Sequence, residues 1–418
     1  MLFLTLQNHI IMAKQQKPYI KMEQSAQLLP QEELLMIKES SKNFTIGVPK
    51  EIVLQEKRVA IVPSAVSMLV ENDIEVYIEK NAGKNASFSN EQYADAGAII
   101  VETSQEIYQC DIISKVAPAT VEEIALMKKK IILISALNER IQTKAYCKAL
   151  MNKGITALSY EHIRNNTNEH PILHSISEIV GSTSILIASS YLSDSQWGRG
   201  KMLGGFIGIN PSEVVILGAG TVAESAAKTA IGLGAFIKVF DNSISSIRRL
   251  QSNIGISIYS SIILPDVLSN ALKSADVVIG ALDTNDFENN AIVTEDMVKN
   301  MKQGSVIVDV SVDKGSCFET SKVTNHNNPV FQKHGVTHYC VPNISSRTPH
   351  TSSYALSNYF APLILRMHNE GGLNQLIVND SGIRNGTYLY NGKITFERLA
   401  KKYGMRYQDL SLLLAAFR

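Results

Sequence analysis

Short apolar runs alternate with longer stretches of helical periodicity from Phe44 to the C-terminus. The run at 214–217 contains Val and Ile and is typical of a strand that is buried on both faces. A second strand is predicted at 235–240, and a last short one at 338–343. Apolar residues also recur at helical spacing, most clearly over 177–192. Strands that alternate with helices predict parallel sheets and an α/β fold.

The alternating pattern occupies two blocks, which a polar, Asn-rich segment at 161–171 separates. A chain of 418 residues is long enough for two domains. We expect one α/β domain to combine residues 44–174 with residues 351–418, because we expect the C-terminal tail to pack back on the first block. Residues 175–350 are predicted to form the second domain. Residues 1–43 are predicted to be a polar extension.

The clearest candidate for chemistry is the turn that follows the strand at 214–217. Gly218 allows a tight turn, and Gly220 lets the backbone approach a pyrophosphate. An Ala-rich helix pattern follows, whose N-terminus would offer free N–H groups and a positive dipole end to that anion. The alternative is a tight strand-to-helix turn without a ligand. The residues expected to hold a dinucleotide are Gly218, Ala219, Gly220, Thr221 and Val222.

Asp241 supports the dinucleotide interpretation of this turn. It ends the second strand, 23 residues after Gly218, which is near the spacing expected for a carboxylate that binds a ribose 2′-OH. A carboxylate would repel a 2′-phosphate, so NAD is favoured over NADP. The alternative role for Asp241 is a strand-end cap. With strand, turn, helix and acid all in place, we favour an NAD-binding Rossmann unit.

Composition mainly excludes other classes of protein. The net charge of +1 gives no electrostatic footprint for nucleic acid or a membrane surface. The four cysteines are far apart, so neither a disulfide framework nor a zinc site is indicated. No run of 18 apolar residues occurs, so no transmembrane helix is expected. A cytoplasmic protein without a metal is the expectation.

The motifs at 58–63, 203–205, 216–221, 309–315 and 351–358 together resemble those of one family, alanine dehydrogenase. The nearest relative of that family is the NAD-binding alpha subunit of the proton-translocating nicotinamide nucleotide transhydrogenase. The resemblance implies a substrate domain built from both chain ends, an NAD-binding Rossmann domain, a cleft between them and a homohexamer. It also implies the reversible oxidative deamination of L-alanine to pyruvate and ammonia.

The resemblance also assigns roles to individual residues. Arg58 matches the arginine that pairs with the substrate carboxylate, a task that suits a bidentate guanidinium. Its place just before a predicted strand argues against a surface arginine in a loop. Asp313 matches an acidic residue that faces the reacting centre. Further cofactor contacts are matched by Ser177, Asp241, Ala281, Leu282 and Asn343.

Two catalytic positions depart from the family pattern. The family's Lys-Val-Lys-Glu-Pro is replaced at 115–119, so that Ala117 stands where the second lysine is expected. The family's catalytic histidine falls on Asn138, which can donate a hydrogen bond but cannot shuttle a proton near neutral pH. Lys115 is two residues from Ala117 on a predicted strand and so points to the same face. We therefore expect Lys115 to assist Asp313 in proton transfer, provided that burial raises the pKa of Asp313.

Three hypotheses about function follow. The first is an NAD-dependent alanine dehydrogenase, which the overall resemblance favours. The second is a related dehydrogenase that acts on another amino or oxo acid in a remodelled pocket. The third is a non-catalytic NAD(H)-binding protein, such as a sensor or a transhydrogenase-like subunit, since the transhydrogenase subunit also lacks the lysine–histidine pair.

Overall fold

The computed structural model describes residues 44–53, 55–137, 142–282 and 291–415. The predicted extension at 1–43 and Asn138 lie outside the described residues. The strands are β1 (Thr45–Val48), β2 (Glu75–Glu79), β3 (Ile99–Val101), β4 (Ile112–Ser114), β5 (Ile132–Ser135), β6 (Thr156–Ser159), β7 (Glu213–Leu217), β8 (Phe236–Phe240), β9 (Tyr259–Ser261), β10 (Val277–Gly280), β11 (Val306–Asp309), β12 (Val330–Lys333), β13 (Val336–Tyr339), β14 (Thr387–Tyr390) and β15 (Lys393–Ile394).

The helices cover both faces of the sheets that these strands form. The α-helices are α1 (Pro63–Val70), α2 (Asn90–Asp95), α3 (Ser104–Ile107), α4 (Val121–Leu126), α5 (Lys144–Lys153), α6 (Pro171–Ser193), α7 (Thr221–Gly232), α8 (Ile244–Ile254), α9 (Pro265–Ser274), α10 (Glu295–Lys299), α11 (Pro349–Asn369), α12 (Leu373–Asn379), α13 (Ser381–Gly386), α14 (Glu397–Tyr403) and α15 (Leu410–Ala415). Single turns of 3₁₀-helix lie at Lys84–Ala86, Tyr160–His162, Val312–Lys314 and Ile344–Arg347.

The first sheet has eight strands in the order β15-β14-β6-β5-β4-β1-β2-β3. Its strands from β1 to β6 are parallel, and the C-terminal strands β14 and β15 extend one edge in antiparallel fashion. Both ends of the chain therefore build one sheet, as the sequence predicts. The chain runs outward from β1 in one direction and from β4 in the other, so the strand order reverses between β1 and β4. Such a switch point opens a crevice at the carboxyl ends of the two strands.

The second sheet has seven strands in the order β12-β13-β11-β10-β7-β8-β9. All neighbours are parallel except the hairpin of β12 and β13, which the sequence pattern did not predict. The strand predicted at 338–343 begins and ends earlier, at Val336–Tyr339, because it pairs with β12. The order reverses between β7 and β10, which is the doubly wound arrangement of a Rossmann-type sheet. The predicted α/β class with two sheets is confirmed.

The long helix α6 contributes to the cores of both sheets. Ile172 at its start packs in the core of the first sheet, whereas Ile185 and Ala188 pack in the core of the second. By length and composition α6 could cross a membrane, with a mean hydropathy of 1.4 in its most apolar window. In the structure 39% of that window is buried. The helix begins at Pro171, earlier than predicted, because proline is well suited to the first turn of a helix.

Candidate functional site

The glycine turn between β7 and α7 has the geometry of a phosphate-binding turn. Gly218 has a φ of +114°, and a Cβ atom built there would lie 2.5 Å from the carbonyl oxygen of Ala281. Both facts exclude a residue with a side chain. Gly220 precedes α7, and a Cβ atom built on it would meet no described atom within 4 Å. Among the described residues no side chain caps α7, so its first N–H groups are open to an anion.

Asp241 joins the end of β8 to this turn. Its Oδ2 accepts a hydrogen bond from the backbone N–H of Ala219 at 2.7 Å, and its Oδ1 accepts one from the N–H of Ser243 at 2.7 Å. Asp241 therefore acts as a strand-end cap, which is one of the two roles that the sequence allowed. Each carboxylate oxygen can accept more than one hydrogen bond, so capping leaves capacity for a hydroxyl donor.

The carboxyl ends of β7, β10 and β11 converge beside the turn. The N–H of Ala281 donates to the carbonyl of Leu217 at 2.8 Å. The hydroxyl of Ser311 donates to the carbonyl of Leu282 at 2.6 Å. Ala281 and Leu282 therefore lie beside Gly218, at the switch point of the second sheet. The open end of α7 therefore lies beside these strand ends, the position at which a Rossmann-type sheet binds a pyrophosphate.

Ser177 and Val222 come from two helices that touch. A Cβ atom built on Gly181 of α6 would lie 2.2 Å from the carbonyl oxygen of Val222 in the first turn of α7. Ser177 lies one turn before Gly181 on the same face of α6 and is half-buried. Thr221 begins α7 directly after the glycine turn. Ser177, Thr221 and Val222 therefore all lie near the N-terminus of α7.

The environment of Asp313 differs from the one that we predicted. It lies on the 3₁₀ turn Val312–Lys314, and its side chain is exposed, so the burial on which its predicted role depends is absent. Asp313 remains close enough to the end of β11 to affect the charge of Asp309. The buried carboxyl in this region is Asp309, the last residue of β11, and burial raises its pKa. The hydroxyl of Ser321 donates to Asp309 at 2.6 Å, so this carboxyl holds the loop that follows β11.

Arg58 is buried and held by a fork of hydrogen bonds to Glu56. Its Nε donates to Oε1 of Glu56 at 2.8 Å, and its Nη2 donates to Oε2 at 2.7 Å. Burial opposes the charge, but Glu56 raises the pKa of Arg58 above its usual range, and Tyr160 and Glu51 add to that effect. The Nδ2 of Asn343 donates to Oε2 of Glu56 at 2.9 Å. Glu56 therefore brings the predicted substrate arginine together with the predicted cofactor residue Asn343.

The segment that carries Arg58 is not followed by a strand, contrary to the prediction. Residues 59–62 form no strand and bend at Ala60 and Ile61. Instead, the N–H of Val59 donates to the hydroxyl of Ser353 at 2.9 Å, and the N–H of Val62 donates to the hydroxyl of Ser357 at 3.1 Å. Both serines lie on α11, so a C-terminal helix satisfies the backbone that a neighbouring strand would otherwise satisfy.

Lys115 lies in a buried cluster of charges. β4 ends at Ser114, so Lys115 follows the strand rather than lying on it. Its side chain is 0% exposed, and its ammonium pairs with Glu123. The hydroxyl of Tyr108 donates to the same Glu123 oxygen at 2.6 Å. Ala117, at the position of the family's second lysine, is also buried and supplies no polar atom there.

Glu51 is a charged residue of this region that the sequence reasoning missed. Its Oε1 accepts a hydrogen bond from the N–H of Val116 at 2.6 Å, and its Oε2 lies 3.6 Å from Nζ of Lys115. Burial raises the pKa of Glu51 to about 7, an effect that Lys115 opposes and Glu56 reinforces. The signal was its position just after β1, since functional residues gather at the carboxyl ends of parallel strands.

The two sheets and their switch points define the class of protein. It is a two-domain α/β protein with a dinucleotide-type glycine turn at one switch point and a buried arginine where the two sheets meet. The chain belongs to the alanine dehydrogenase/PNT family. The family's N-terminal domain matches residues 47–180, and its C-terminal domain matches residues 184–397.

Individual relatives agree with this assignment. The chain is 37% identical over 364 residues to an alanine dehydrogenase of Methanococcus maripaludis, which covers 87% of this chain and 97% of that protein. A solved L-alanine dehydrogenase matches with a TM-score of 0.81 and 34% identity, over 86% of this chain and 99% of that one. A transhydrogenase from Sinorhizobium meliloti matches with a TM-score of 0.71, over 85% of this chain and 99% of that one, and shares the fold at 20% identity.

Proposed function

We propose that this chain is an NAD-dependent alanine dehydrogenase, which interconverts L-alanine with pyruvate and ammonia. The observation that carries the proposal is the contact between the two halves of the chain through Glu56. That carboxylate binds Arg58 by a fork and accepts a hydrogen bond from Asn343, so a residue matched to the substrate and one matched to the cofactor share one partner. The membership of the family and the named relatives support the same reaction.

The cofactor would be held by the second sheet. The open N–H groups at the start of α7 suit its pyrophosphate, and Asp241 has hydrogen-bonding capacity left for a ribose hydroxyl. When bound, NAD supplies the nicotinamide ring that accepts a hydride. A carboxylate at position 241 would repel a 2′-phosphate, which favours NAD over NADP.

Arg58 would bind the substrate carboxylate. Glu56 engages Nε and Nη2 of the guanidinium, while Nη1 makes no hydrogen bond to a described residue. A guanidinium has five N–H donors, so a second carboxylate can bind the free edge without displacing Glu56. The fork fixes the plane of the guanidinium in advance, which lowers the entropy cost of binding.

Proton transfer needs groups other than the family's lysine and histidine. In our proposal Asp313 passes protons between the reacting centre and solvent, to which its side chain is exposed, and Asn138 orients a reacting group by donating a hydrogen bond. Lys115 assists through its charge, because its ammonium is locked in ion pairs and buried. The buried methyl group of Ala117 leaves the arginine as the main cationic anchor.

Two alternatives remain candidates on specific observations. The nonpolar Ala117 favours a dehydrogenase that acts on another amino or oxo acid, since the pocket gains space there. The lack of the family's second lysine at position 117 also favours a non-catalytic NAD(H)-binding protein similar to the transhydrogenase subunit. A substrate panel with purified protein separates the three functions. The panel pairs NAD with L-alanine and other small amino acids, and NADH with the matching oxo acids and ammonium. Preference for L-alanine supports the proposal, and binding of NADH without any turnover contradicts it.

The family resemblance also motivates our proposals on assembly and location. We propose a cytoplasmic homohexamer. Size-exclusion chromatography with light scattering should give about six times the 45.9 kDa chain mass. A monomer at working concentration would contradict the proposed assembly without touching the proposed reaction.

A further inference from the structure

Five buried charged side chains meet at the switch point of the first sheet. Two of them form the Arg58–Glu56 fork, and two more form the Lys115–Glu123 pair. The fifth is Glu51, whose side chain is only 5% exposed. Three carboxylates therefore meet two cations, and the cluster lacks one positive charge when every group is ionised. A buried site of this kind tends to acquire a proton or a cationic ligand.

The negative charge that lacks a compensating cation is that of Glu51. Glu56 is fully engaged by Arg58 and Asn343. Glu123 accepts hydrogen bonds from the N–H of Thr120 at 2.7 Å and from Tyr108 at 2.6 Å, besides its ion pair. By contrast, Oε2 of Glu51 is buried and has no hydrogen-bond partner among the described residues.

The place of this oxygen connects it to the substrate. Glu51 follows β1 and is fixed by the N–H of Val116 after β4, so it lies between the carboxyl ends of the two switch-point strands. Arg58 is close enough for Glu51 to affect its charge. An amino acid whose carboxylate binds Arg58 carries its α-ammonium group two bonds from that carboxylate. We therefore place that nitrogen beside Oε2 of Glu51, which has no hydrogen-bond partner among the described residues and lies 3.6 Å from Nζ of Lys115.

We propose that Glu51 accepts the proton that the substrate's α-ammonium group loses before hydride transfer. This inference rests on the proposed dehydrogenase function. An N–H bond of the substrate breaks, an O–H bond forms at Oε2 of Glu51, and the electron pair stays on the nitrogen. The neutral amine can then form the C=N double bond as the Cα hydride leaves for the nicotinamide. Lys115 is a positioning residue that keeps the carboxylate in place.

The charge environment suits a group that exchanges a proton near neutral pH. Burial raises the pKa of Glu51 to about 7, with Lys115 and the Val116 N–H opposing the rise. A base must be deprotonated, so activity should rise with pH through that value. The charged or titratable groups that interact with Glu51 are Lys115, Glu56, Glu123, Arg58, Tyr108 and Tyr160.

The test is the variant Glu51→Gln in the full-length chain, with Glu79→Gln as its matched control. Glu79 is a half-buried carboxylate that accepts a hydrogen bond from the N–H of Lys50 at 2.8 Å, next to Glu51 in the chain. We expect E51Q to lower kcat for L-alanine by about 100-fold or more, the usual contribution of a general base. It should also remove the inflection near pH 7 from the profile of kcat/KM. E79Q should keep both, and NADH affinity measured by fluorescence should stay within about twofold in both variants.

A second readout is independent of turnover. Infrared difference spectra recorded between about pH 5 and about pH 9, without cofactor or substrate, should show a buried protonated carboxyl group that titrates and that E51Q lacks. If E51Q does not fold, Glu51→Asp takes its place, and its shorter side chain should lower kcat and move the inflection.

Failure of the inference and failure of the proposed function are distinguishable. If E51Q keeps kcat within about threefold and retains the inflection, Glu51 is not the base, whereas the dehydrogenase assignment stands. If the unaltered chain does not oxidise L-alanine, the proposed function fails and this inference fails with it. An infrared titration that is unchanged in E51Q also overturns the assignment of the proton to Glu51.

Discussion

Arg58 shows how one buried charge is kept ready for a ligand. A buried guanidinium without a partner would be costly, so the chain supplies Glu56 two residues away. The pair leaves Nη1 uncommitted, and Asn343 fixes the other side of Glu56. Stability and substrate binding are therefore coupled at this residue, because removing Arg58 would leave Glu56 as an unpaired buried charge.

For that reason the informative variant is Arg58→Lys, which preserves the positive charge. We expect KM for L-alanine to rise about 10-fold or more, since an ammonium cannot bind two carboxylates in planar, bidentate geometry. NADH affinity should change little, because Arg58 lies outside the glycine turn. Steady-state kinetics and NADH fluorescence check both statements. A KM within about twofold of the original value would show that Arg58 does not bind the substrate carboxylate.

Asp241 is the residue on which the choice between NAD and NADP depends. We expect Asp241→Ala to weaken NAD binding by about 10-fold to 100-fold, since a hydrogen bond to a charged group contributes about 1.5–3 kcal/mol. NADP binding should weaken less, because the repelling carboxylate is gone. Fluorescence titration with both reduced cofactors measures this difference.

The control for Asp241 separates its two roles. Asp296→Ala removes an exposed carboxylate that pairs with Lys299 on α10, and cofactor binding should not change. If Asp241→Ala weakens both cofactors equally, the residue acts only as the cap that binds the N–H of Ala219. Unchanged NAD affinity would refute the cofactor assignment.

The sequence locates candidate residues whose partners are close to them along the chain. The glycine turn and Asp241 are linked by a short span of chain, so spacing alone locates them. The Glu51 cluster could not be predicted in the same way. Glu51, Lys115 and Glu123 come from separate elements, and only the parallel pairing of β1 with β4 brings them together. The exposure of Asp313 likewise depends on a 3₁₀ turn that the apolar pattern does not encode.

At the level of elements, the contact between α6 and α7 positions the cofactor turn. Gly181 allows α6 to approach the carbonyl of Val222, to which a Cβ atom would come within 2.2 Å. Val222 lies in the first turn of α7, so any displacement of α7 moves the N–H groups that face the cofactor.

Gly181→Ala should therefore reduce both stability and cofactor affinity. We expect a loss of roughly 1–3 kcal/mol in the free energy of unfolding, as is usual for overpacking. The matched control is Gly232→Ala at the end of α7, where a Cβ atom would meet nothing within 4 Å. That change should be neutral or stabilising by up to about 1 kcal/mol, because alanine is the better helix former. Urea unfolding and NADH titration provide the measurements, and equal effects of the two variants would refute this account.

Element type was predictable where strands are buried on both faces, but pairing partners were less so. The segment at 59–62 has strand composition, yet its N–H groups bond to serines of α11 almost 300 positions later. The hairpin of β12 and β13 was missed because β12 is only partly buried and lacks a continuous apolar run. In the first case a long-range contact overrode local preference.

On the scale of the whole molecule, the two sheets share one topology but carry different candidate functional residues. Each is doubly wound, and each carries its candidate residues at the carboxyl ends of its switch-point strands. The second sheet presents a glycine turn that suits phosphates, whereas the first presents buried charges that suit an amino acid. Glu56, bound by Arg58 and Asn343, joins the two sites. In the proposed reaction a hydride therefore passes from a substrate on the first sheet to a cofactor on the second.

The most direct measurement follows that hydride. Purified full-length chain is incubated with NAD and L-alanine that carries deuterium at Cα, and the reduced cofactor is analysed by mass spectrometry. For an alanine dehydrogenase we expect NADH that contains the deuterium, together with equimolar pyruvate and ammonia. Saturable NADH binding without formation of labelled NADH would contradict the proposed hydride transfer from L-alanine.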